Sequence, residues 1–194
     1  MRYTADQKEE ARTRLLEAAG RAFRRQGYGG IGVDGLAKEA GMTSGAFYGY
    51  FKSKDVAFAE VAVAGLEQLD AAVAQLQADH PVDWAVRFID FYLSERVTCD
   101  LSQSCALQSL TPDVMRANGA TKSRFAGVLK RVTERIASGL EGVEPEIRKD
   151  RATALLALLS GGVTIARSVG DPSSSSGIVE SLRLAARLIC DRQS

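Results

Sequence analysis

Apolar residues recur at the 3.6-residue spacing of an amphipathic helix along almost the whole of this chain of 194 residues. In the first such segment Leu15, Ala18, Ala22 and Phe23 share one face, and charged residues occupy the other. This period belongs to a helix and differs from the period of two that a strand requires. The sequence therefore predicts an all-α protein.

Glycine and proline residues divide this pattern into separate helices. Gly27 is predicted to end the first helix in the left-handed C′ position, and Thr43 is predicted to cap the third helix at its N-terminus. Residues 170–177, with four consecutive serines, are expected to form a flexible or N-capping linker. The predicted helices span residues 8–26, 33–40, 44–51, 54–77, 82–97, 111–118, 120–140, 145–169 and 178–191.

Charge is distributed unevenly along the chain. The formal net charge of the whole chain is +1. Residues 1–54 hold ten Lys or Arg and six Asp or Glu, a net charge of +4, whereas residues 55–194 carry −3. A basic segment ahead of a mildly acidic remainder suggests an anion-binding head on a neutral body. We therefore expect a basic N-terminal part that binds an anion such as nucleic acid, followed by a separate body.

The chain lacks the sequence signals of several other protein classes. No apolar run approaches the roughly 20 residues of a membrane span, and the polar Met1–Glu10 segment is unlike a signal peptide. The three cysteines have no metal-ligand spacing, and a reducing cytoplasm suits them. The single histidine, His80, precedes a proline in a turn. We therefore expect no membrane partner, metal, cofactor or enzymatic activity.

Two short predicted helices, joined by a turn that contains Gly41, have the pattern of a helix-turn-helix. In the second of them Phe47 and Phe51 are expected to anchor the helix in the core. Its polar residues, followed by two lysines, could contact bases and phosphates, and the alternative is an ordinary helical hairpin with a solvated polar face. The candidate DNA-binding residues are Thr43, Ser44, Ala46, Tyr48, Gly49, Tyr50, Lys52 and Lys54.

The stretch from Ile31 to Lys54 resembles the DNA-binding domain of TetR-family (TetR/AcrR-like) regulators. Its segment Leu-Ala-Lys-Glu-Ala-Gly, its Phe-Tyr pair and its ending Tyr-Phe-Lys-Ser-Lys have the order and spacing of that family. The resemblance implies two domains, an N-terminal three-helix helix-turn-helix over residues 1–53 that binds DNA and a C-terminal helical bundle over residues 54–194 for effector binding and dimerisation. It further implies a homodimeric repressor that binds a palindromic double-stranded operator and is released by a small-molecule effector.

This sequence departs from the family pattern at three positions. Gly32 replaces a frequent Thr or Ser, Ser44 a frequent Lys or Arg, and Gly49 a frequent His, Asn or Arg. The recognition helix therefore carries no arginine for bidentate contact with guanine. We expect operator affinity to depend on phosphate contacts and DNA shape.

The predicted helix 82–97 holds the densest aromatic cluster of the chain. Such a stripe is typical of a packed core, but the family resemblance implies an effector cavity in this part of the bundle. The candidate ligand-binding residues are Trp84, Phe88, Phe91, Tyr92, Cys105, Met115 and Phe125.

The predicted helix 145–169 is apolar around most of its circumference, and the last helix carries an apolar face. We expect these two helices to form an isologous four-helix dimer interface, the alternative being that they only complete the core of one chain. The candidate interface residues are Leu155, Leu158, Leu159, Gly162, Ile165, Leu182, Ala185, Ala186 and Ile189.

A helical enzyme or ligand carrier is disfavoured by the missing acid–base constellation, and two further alternative functions remain open from the sequence. One is a regulator that senses oxidants or electrophiles through Cys105. Against this alternative, the sequence places no basic neighbour beside the cysteine that would lower the pKa of its thiol. A disulfide between Cys99 and Cys105 would need Cα atoms within about 7 Å. The other alternative is a DNA-binding module without an effector.

Overall fold

The computed structural model describes residues 5–191, and the regular elements in that range are helices, so the predicted all-α class is confirmed. The first four residues of the Met1–Glu10 segment lie outside the described residues. In chain order the helices are α1 (Ala5–Gly30), α2 (Val33–Glu39), α3 (Ser44–Tyr48), α4 (Lys54–Asp79), α5 (Trp84–Thr98), a 3₁₀ turn (Leu101–Gln103), α6 (Ala106–Ser109), α7 (Thr111–Val114), α8 (Gly119–Gly139), α9 (Pro145–Ser168) and α10 (Pro172–Cys190).

The chain forms two compact units. The first contains the described residues up to Gly65 together with Asp100–Phe125, and the second contains Leu66–Cys99 and the described residues from Ala126 onward. Helices α4 and α8 each contribute residues to both units. The functional boundary expected between residues 53 and 54 stays a prediction, because compactness does not report which part binds DNA.

Aromatic rings between α1 and α4 form part of the core of the first unit. Phe23 and Phe58 are fully buried and meet edge to face, with ring centroids 5.3 Å apart. Tyr28 adds a third ring, whose centroid lies 5.2 Å from that of Phe58. Each of these large side chains removes apolar surface from water, which is the main favourable term in folding. The cluster therefore holds the C-terminal end of α1 against the beginning of α4.

Gly27 interrupts α1 with a φ of 73° and a ψ of 168°. The predicted positive φ is confirmed, but the ψ value is extended instead of left-handed helical. The reason is that the chain resumes a helical turn at Tyr28, whose backbone N–H donates to the Asp113 carboxylate at 2.8 Å. A residue of α7 thus supplies the hydrogen bond that the interrupted helix lacks.

Hydrogen bonds from side chains join neighbouring helices of the second unit. The indole N–H of Trp84 donates to the Gly139 carbonyl at 3.1 Å, which joins α5 to the end of α8. Arg135 donates to both carboxylate oxygens of Asp70, at 2.5 and 2.9 Å, and so links α8 to α4. A bidentate pair of this kind fixes orientation as well as distance.

Most predicted helix boundaries differ from the structure by one to six residues, and the predicted helix 111–118 ends at Val114. The α3 helix ends at Tyr48 because Gly49 and Tyr50 form tighter hydrogen bonds to residues three positions earlier. The α5 helix begins at Trp84, two residues later than predicted. The serine-rich segment expected to be a linker is the first turn of α10, because Asp171 caps that helix by accepting from the Ser174 N–H at 2.8 Å.

Among residues 5–191, no helix combines the length and apolar character that crossing a lipid bilayer requires.

Candidate nucleic-acid interface

The turn between α2 and α3 is fixed by hydrogen bonds at both of its ends. At the end of α2, Gly41 has a φ of 68°, and the N–H groups of Gly41 and Met42 donate to the carbonyls of Lys38 and Ala37. This is the Schellman arrangement, which favours glycine because other residues are strained at positive φ. At the start of α3 the Thr43 side chain accepts from the Ala46 N–H at 3.3 Å, so the predicted cap is confirmed.

The α3 segment has a buried side and a side that faces water. Phe47 and Phe51 are almost completely buried, with ring centroids 5.6 Å apart, so these two predicted anchors are confirmed. Tyr48, which follows Phe47, is 58% exposed. A short helix anchored in this way presents its remaining residues in a fixed orientation.

The candidate DNA-binding residues extend from Thr43, the N-cap of α3, to Lys54, the first residue of α4. Thr43, Tyr48, Gly49 and Lys52 are exposed, whereas the other four candidates are half-buried. The structure gives two of those four a partner within the chain. The Ser44 hydroxyl donates to the Asp34 carboxylate, and the Lys54 ammonium lies 4.1 Å from the centroid of the Tyr28 ring. The assignment of all eight residues to DNA stays a prediction.

Tyr28 and Asp55 are two residues at the base of this head that the sequence did not single out. The Tyr28 hydroxyl donates to the Asp55 carboxylate at 2.5 Å. This hydrogen bond, and to a lesser extent burial and the charge of Asp55, raise the pKa of Tyr28 to about 12. The hydrogen bond to Asp55 and the Lys54 ammonium over the ring hold the Tyr28 side chain of α1 against the start of α4. No sequence signal pairs the two residues, which lie 27 positions apart.

The candidate ligand-binding residues are divided between the two units. Trp84, Phe88 and Tyr92 are buried in the second unit, where Phe91 is exposed and lies beside the Arg96 guanidinium. In the first unit Met115 is exposed, and Cys105 and Phe125 are buried. Their role in binding a small molecule stays a prediction.

The candidate dimer residues fall into three groups by burial. Leu155, Leu159, Gly162 and Ala186 are covered by the chain itself and therefore offer no side-chain surface to a partner. Ile165 is exposed, and two leucines of α10 that are not among the candidates are also exposed. The helical period identified the apolar faces but not which of them the chain itself would cover. The half-buried candidates are Leu158, Leu182, Ala185 and Ile189.

All three cysteines are free thiols in this structure. Cys105 is 7% exposed. Cys99 has a basic neighbour, because Nη1 of Arg167 lies 3.6 Å from its Sγ. The same guanidinium donates to the carbonyls of Arg96 and Cys99, each within 2.9 Å, and so caps the end of α5. No sequence signal reveals this neighbour, because the two residues lie 68 positions apart.

The N-terminal part of the chain is similar to a known protein family. Residues 15–61 match the family described as bacterial regulatory proteins, tetR family. The chain is 33% identical over 82 residues to the HTH-type transcriptional regulator AcrR of Shigella flexneri, a match that covers 42% of this chain and 38% of AcrR. It is 37% identical over 82 residues to the HTH-type transcriptional regulator SrpR of Pseudomonas putida, covering 42% of this chain and 32% of SrpR. The similarity thus spans less than two fifths of these relatives' length.

The fold as a whole is similar to several solved structures. The reduced form of NemR from E. coli matches with a TM-score of 0.77 and 20% identity, over 93% of this chain and 97% of that chain. A TetR-family transcriptional regulator from Agrobacterium tumefaciens matches with a TM-score of 0.77 and 14% identity, over 92% of this chain and 98% of that chain. At this level of identity the similarity establishes the fold.

Proposed function

We propose that this chain, a member of the TetR family of bacterial regulatory proteins through its residues 15–61, is a DNA-binding transcriptional repressor. It acts as a homodimer on a palindromic double-stranded operator, and a small molecule bound in the second unit releases the DNA. The relatives named above are transcriptional regulators, which agrees with the expectation that the chain is not an enzyme.

The observation that carries the proposal is the α2–turn–α3 geometry. Gly41 and Thr43 fix the turn, and Phe47 anchors α3, so Tyr48 and the α3 N-terminus face outward from a rigid support. In a helix-turn-helix the N-terminal residues of the second helix contact base edges while the first helix crosses the backbone. Lys52, exposed just beyond α3, supplies a charge for a phosphate.

Exposed apolar residues on α9 and α10 support the homodimer. Leu184 and Leu188 are 64% and 63% exposed and lie one turn apart on α10, and Ile165 is exposed on α9. Exposed leucines and isoleucine on neighbouring helices are typical of a surface that a second copy covers. Two heads related by a twofold axis would then meet successive major grooves about 34–36 Å apart.

The effector is proposed to act by linkage. A small molecule that favours one spacing of the two heads weakens binding of the operator by a certain factor. By linkage, bound operator must weaken binding of the small molecule by the same factor. The aromatic side chains of α5 are the candidate lining. The second candidate function is a regulator without an effector. A fully packed core without a cavity in the second unit would favour it. Sensing through Cys105 is not favoured, since that thiol is buried.

A binding assay with the full chain tests the DNA-binding proposal. Fluorescence anisotropy on DNA from the intergenic region upstream of the gene should detect binding that weakens as salt rises. Lys52→Ala should reduce the slope of log K against log salt by about 0.9 for each phosphate that the lysine neutralises. Lys149→Ala removes an exposed lysine of the second unit and serves as the matched control. Equal slopes for the two variants, or no binding at low salt, would count against the proposal.

Sedimentation velocity tests the homodimer. Replacing both Leu184 and Leu188 with aspartate should convert the dimer into monomers, because burying two unpaired carboxylates is strongly unfavourable. Val82→Asp introduces a single carboxylate at a residue that is 98% exposed and should leave the dimer intact. A wild-type protein that sediments as a monomer at every concentration would refute the dimer.

A further inference from the structure

Asp34 lies beside the start of the recognition helix. It is the second residue of α2, it is exposed, and its carboxylate accepts a hydrogen bond from the hydroxyl of Ser44, the first residue of α3. The turn between the two helices is fixed by Gly41 and Thr43, so this contact is held by the backbone as well as by the side chains. An acidic group of the first helix therefore lies beside the α3 N-terminus, from which a helix-turn-helix contacts base edges.

Two side chains that can accept hydrogen bonds meet beside the start of α3. An ionised carboxylate only accepts hydrogen bonds, and the Ser44 hydroxyl donates its single proton to Asp34 and keeps its lone pairs. The next residues of α3, Gly45 and Ala46, have no polar side-chain atoms, and α3 contains no Lys or Arg. The N-terminal part of the recognition helix consequently offers no cationic donor to the groove.

A surface of this kind discriminates among the four bases. Guanine presents two acceptors in the major groove and the phosphates are anionic, so a carboxylate is repelled by both. Cytosine presents its N4 amino group there, which is the donor that Asp and Glu accept from. Adenine sets the acceptor N7 beside its amino group, an edge that suits an amide side chain better than a carboxylate. Cytosine is therefore the base that Asp34 matches.

We infer that Asp34, oriented by Ser44, is a base-contacting residue that accepts a hydrogen bond from the amino group of a cytosine in each operator half-site. This inference rests on the proposed DNA-binding function and adds a determinant of operator specificity to it. The negative charge of Asp34 lowers the affinity for DNA in general. The affinity is recovered only where an amino group faces the carboxylate, so Asp34 contributes to sequence selectivity and not to overall affinity.

Selection from a randomised double-stranded DNA library, with the full chain as bait and sequencing of the bound fraction, tests the inference. Wild-type protein should select a cytosine at one position of each half-site. Asp34→Ala should lose this preference by roughly 10-fold, the usual cost of one mismatched base pair. Asp34→Asn should change the preferred base to adenine, because an amide makes two hydrogen bonds to its N6 and N7.

Two further variants separate base contact from general effects. Glu17→Ala removes an exposed carboxylate from α1 and changes the net charge by the same amount, so it should keep the selected motif unchanged. Ser44→Ala keeps the Asp34 carboxylate but removes its orienting hydroxyl, and should give a smaller loss of cytosine preference than Asp34→Ala.

The outcomes that overturn the inference are distinct from failure of the proposed function. If Asp34→Ala and Asp34→Asn select the wild-type motif and only lower the melting temperature, Asp34 merely holds α2 against α3. A wild-type motif without any preferred cytosine likewise refutes the base contact and leaves DNA binding intact. If wild-type protein enriches no sequence and binds no DNA, the proposed function itself fails, and the inference fails with it.

Discussion

Replacing Gly162 with alanine tests the close approach of α9 and α10. A Cβ atom at this position would lie 2.4 and 2.6 Å from the two Cδ atoms of Leu182 and 3.0 Å from its Cγ. Carbon atoms normally approach to about 3.5–4.0 Å, so the leucine or the helix that carries it must move by about 1 Å. Gly162 is therefore the residue at which these two helices depend on the absence of a side chain.

Two opposing terms determine the size of the effect. Alanine in the interior of a helix is more stable than glycine by about 0.5–1 kcal/mol. Overpacking a close contact costs about 1–3 kcal/mol, part of it as an off-rotamer Leu182. We therefore expect Gly162→Ala to lower the free energy of unfolding by about 0.5–2 kcal/mol. Gly127→Ala, in α8 with nothing within 4 Å of the new Cβ, should raise it by about 0.5–1 kcal/mol.

Urea unfolding of both variants and wild type measures these differences. Trp84 is the single tryptophan and is buried in the second unit, so its fluorescence reports on the unit that contains the substitution. All samples should be at one protein concentration, because association raises apparent stability. The double variant Gly162→Ala with Leu182→Ala removes the obstructing side chain, and its coupling energy should restore most of the cost of overpacking.

The result that would refute this reasoning is a Gly162→Ala protein as stable as the Gly127→Ala control. The two helices would then be too far apart for the added Cβ atom to clash with Leu182. A destabilised Gly162→Ala variant without coupling to Leu182 would contradict the assigned contact in another way, because the cost would arise elsewhere in the chain.

Three further outcomes are expected. Gly27→Ala should cost about 1–3 kcal/mol because of the positive φ, whereas Gly29→Ala, with free space around its Cβ and an ordinary φ, should not, and denaturant unfolding compares the two. Hydrogen bonds from two serines lower the pKa of the exposed Asp171 to about 2, so its stabilisation is complete above its unfolded pKa and is lost as the pH falls towards 2. The melting temperatures of wild type and Asp171→Ala should therefore converge between pH 4 and pH 2, and a constant difference would contradict this. Tyr28, with a pKa of about 12, should ionise well above an ordinary tyrosine in an NMR titration, and Asp55→Asn should bring its pKa back down.

The parts of the structure that the sequence predicted correctly depend on local interactions. The helical period, the positive φ of Gly27 and the cap at Thr43 each involve residues within a few positions of one another. The family resemblance rests on the same kind of information, a short segment whose turn and anchors are set by neighbours. The serine-rich start of α10 was predicted only in part: the segment does contain the N-cap, Asp171, but its four serines are helical instead of forming a flexible linker.

The tertiary structure determined which distant residues pair and which part of each helical face is buried. Asp34 beside Ser44 and Arg167 beside Cys99 join residues that no periodicity relates. The apolar faces of α9 and α10 were visible in the sequence, but only packing determined that Leu155 is covered by the chain itself and that Leu188 is exposed. The physical reason is that the spacing of apolar residues in the sequence specifies which side of a helix is apolar. The position and distance of the neighbouring helix determine whether that side is buried or exposed to solvent.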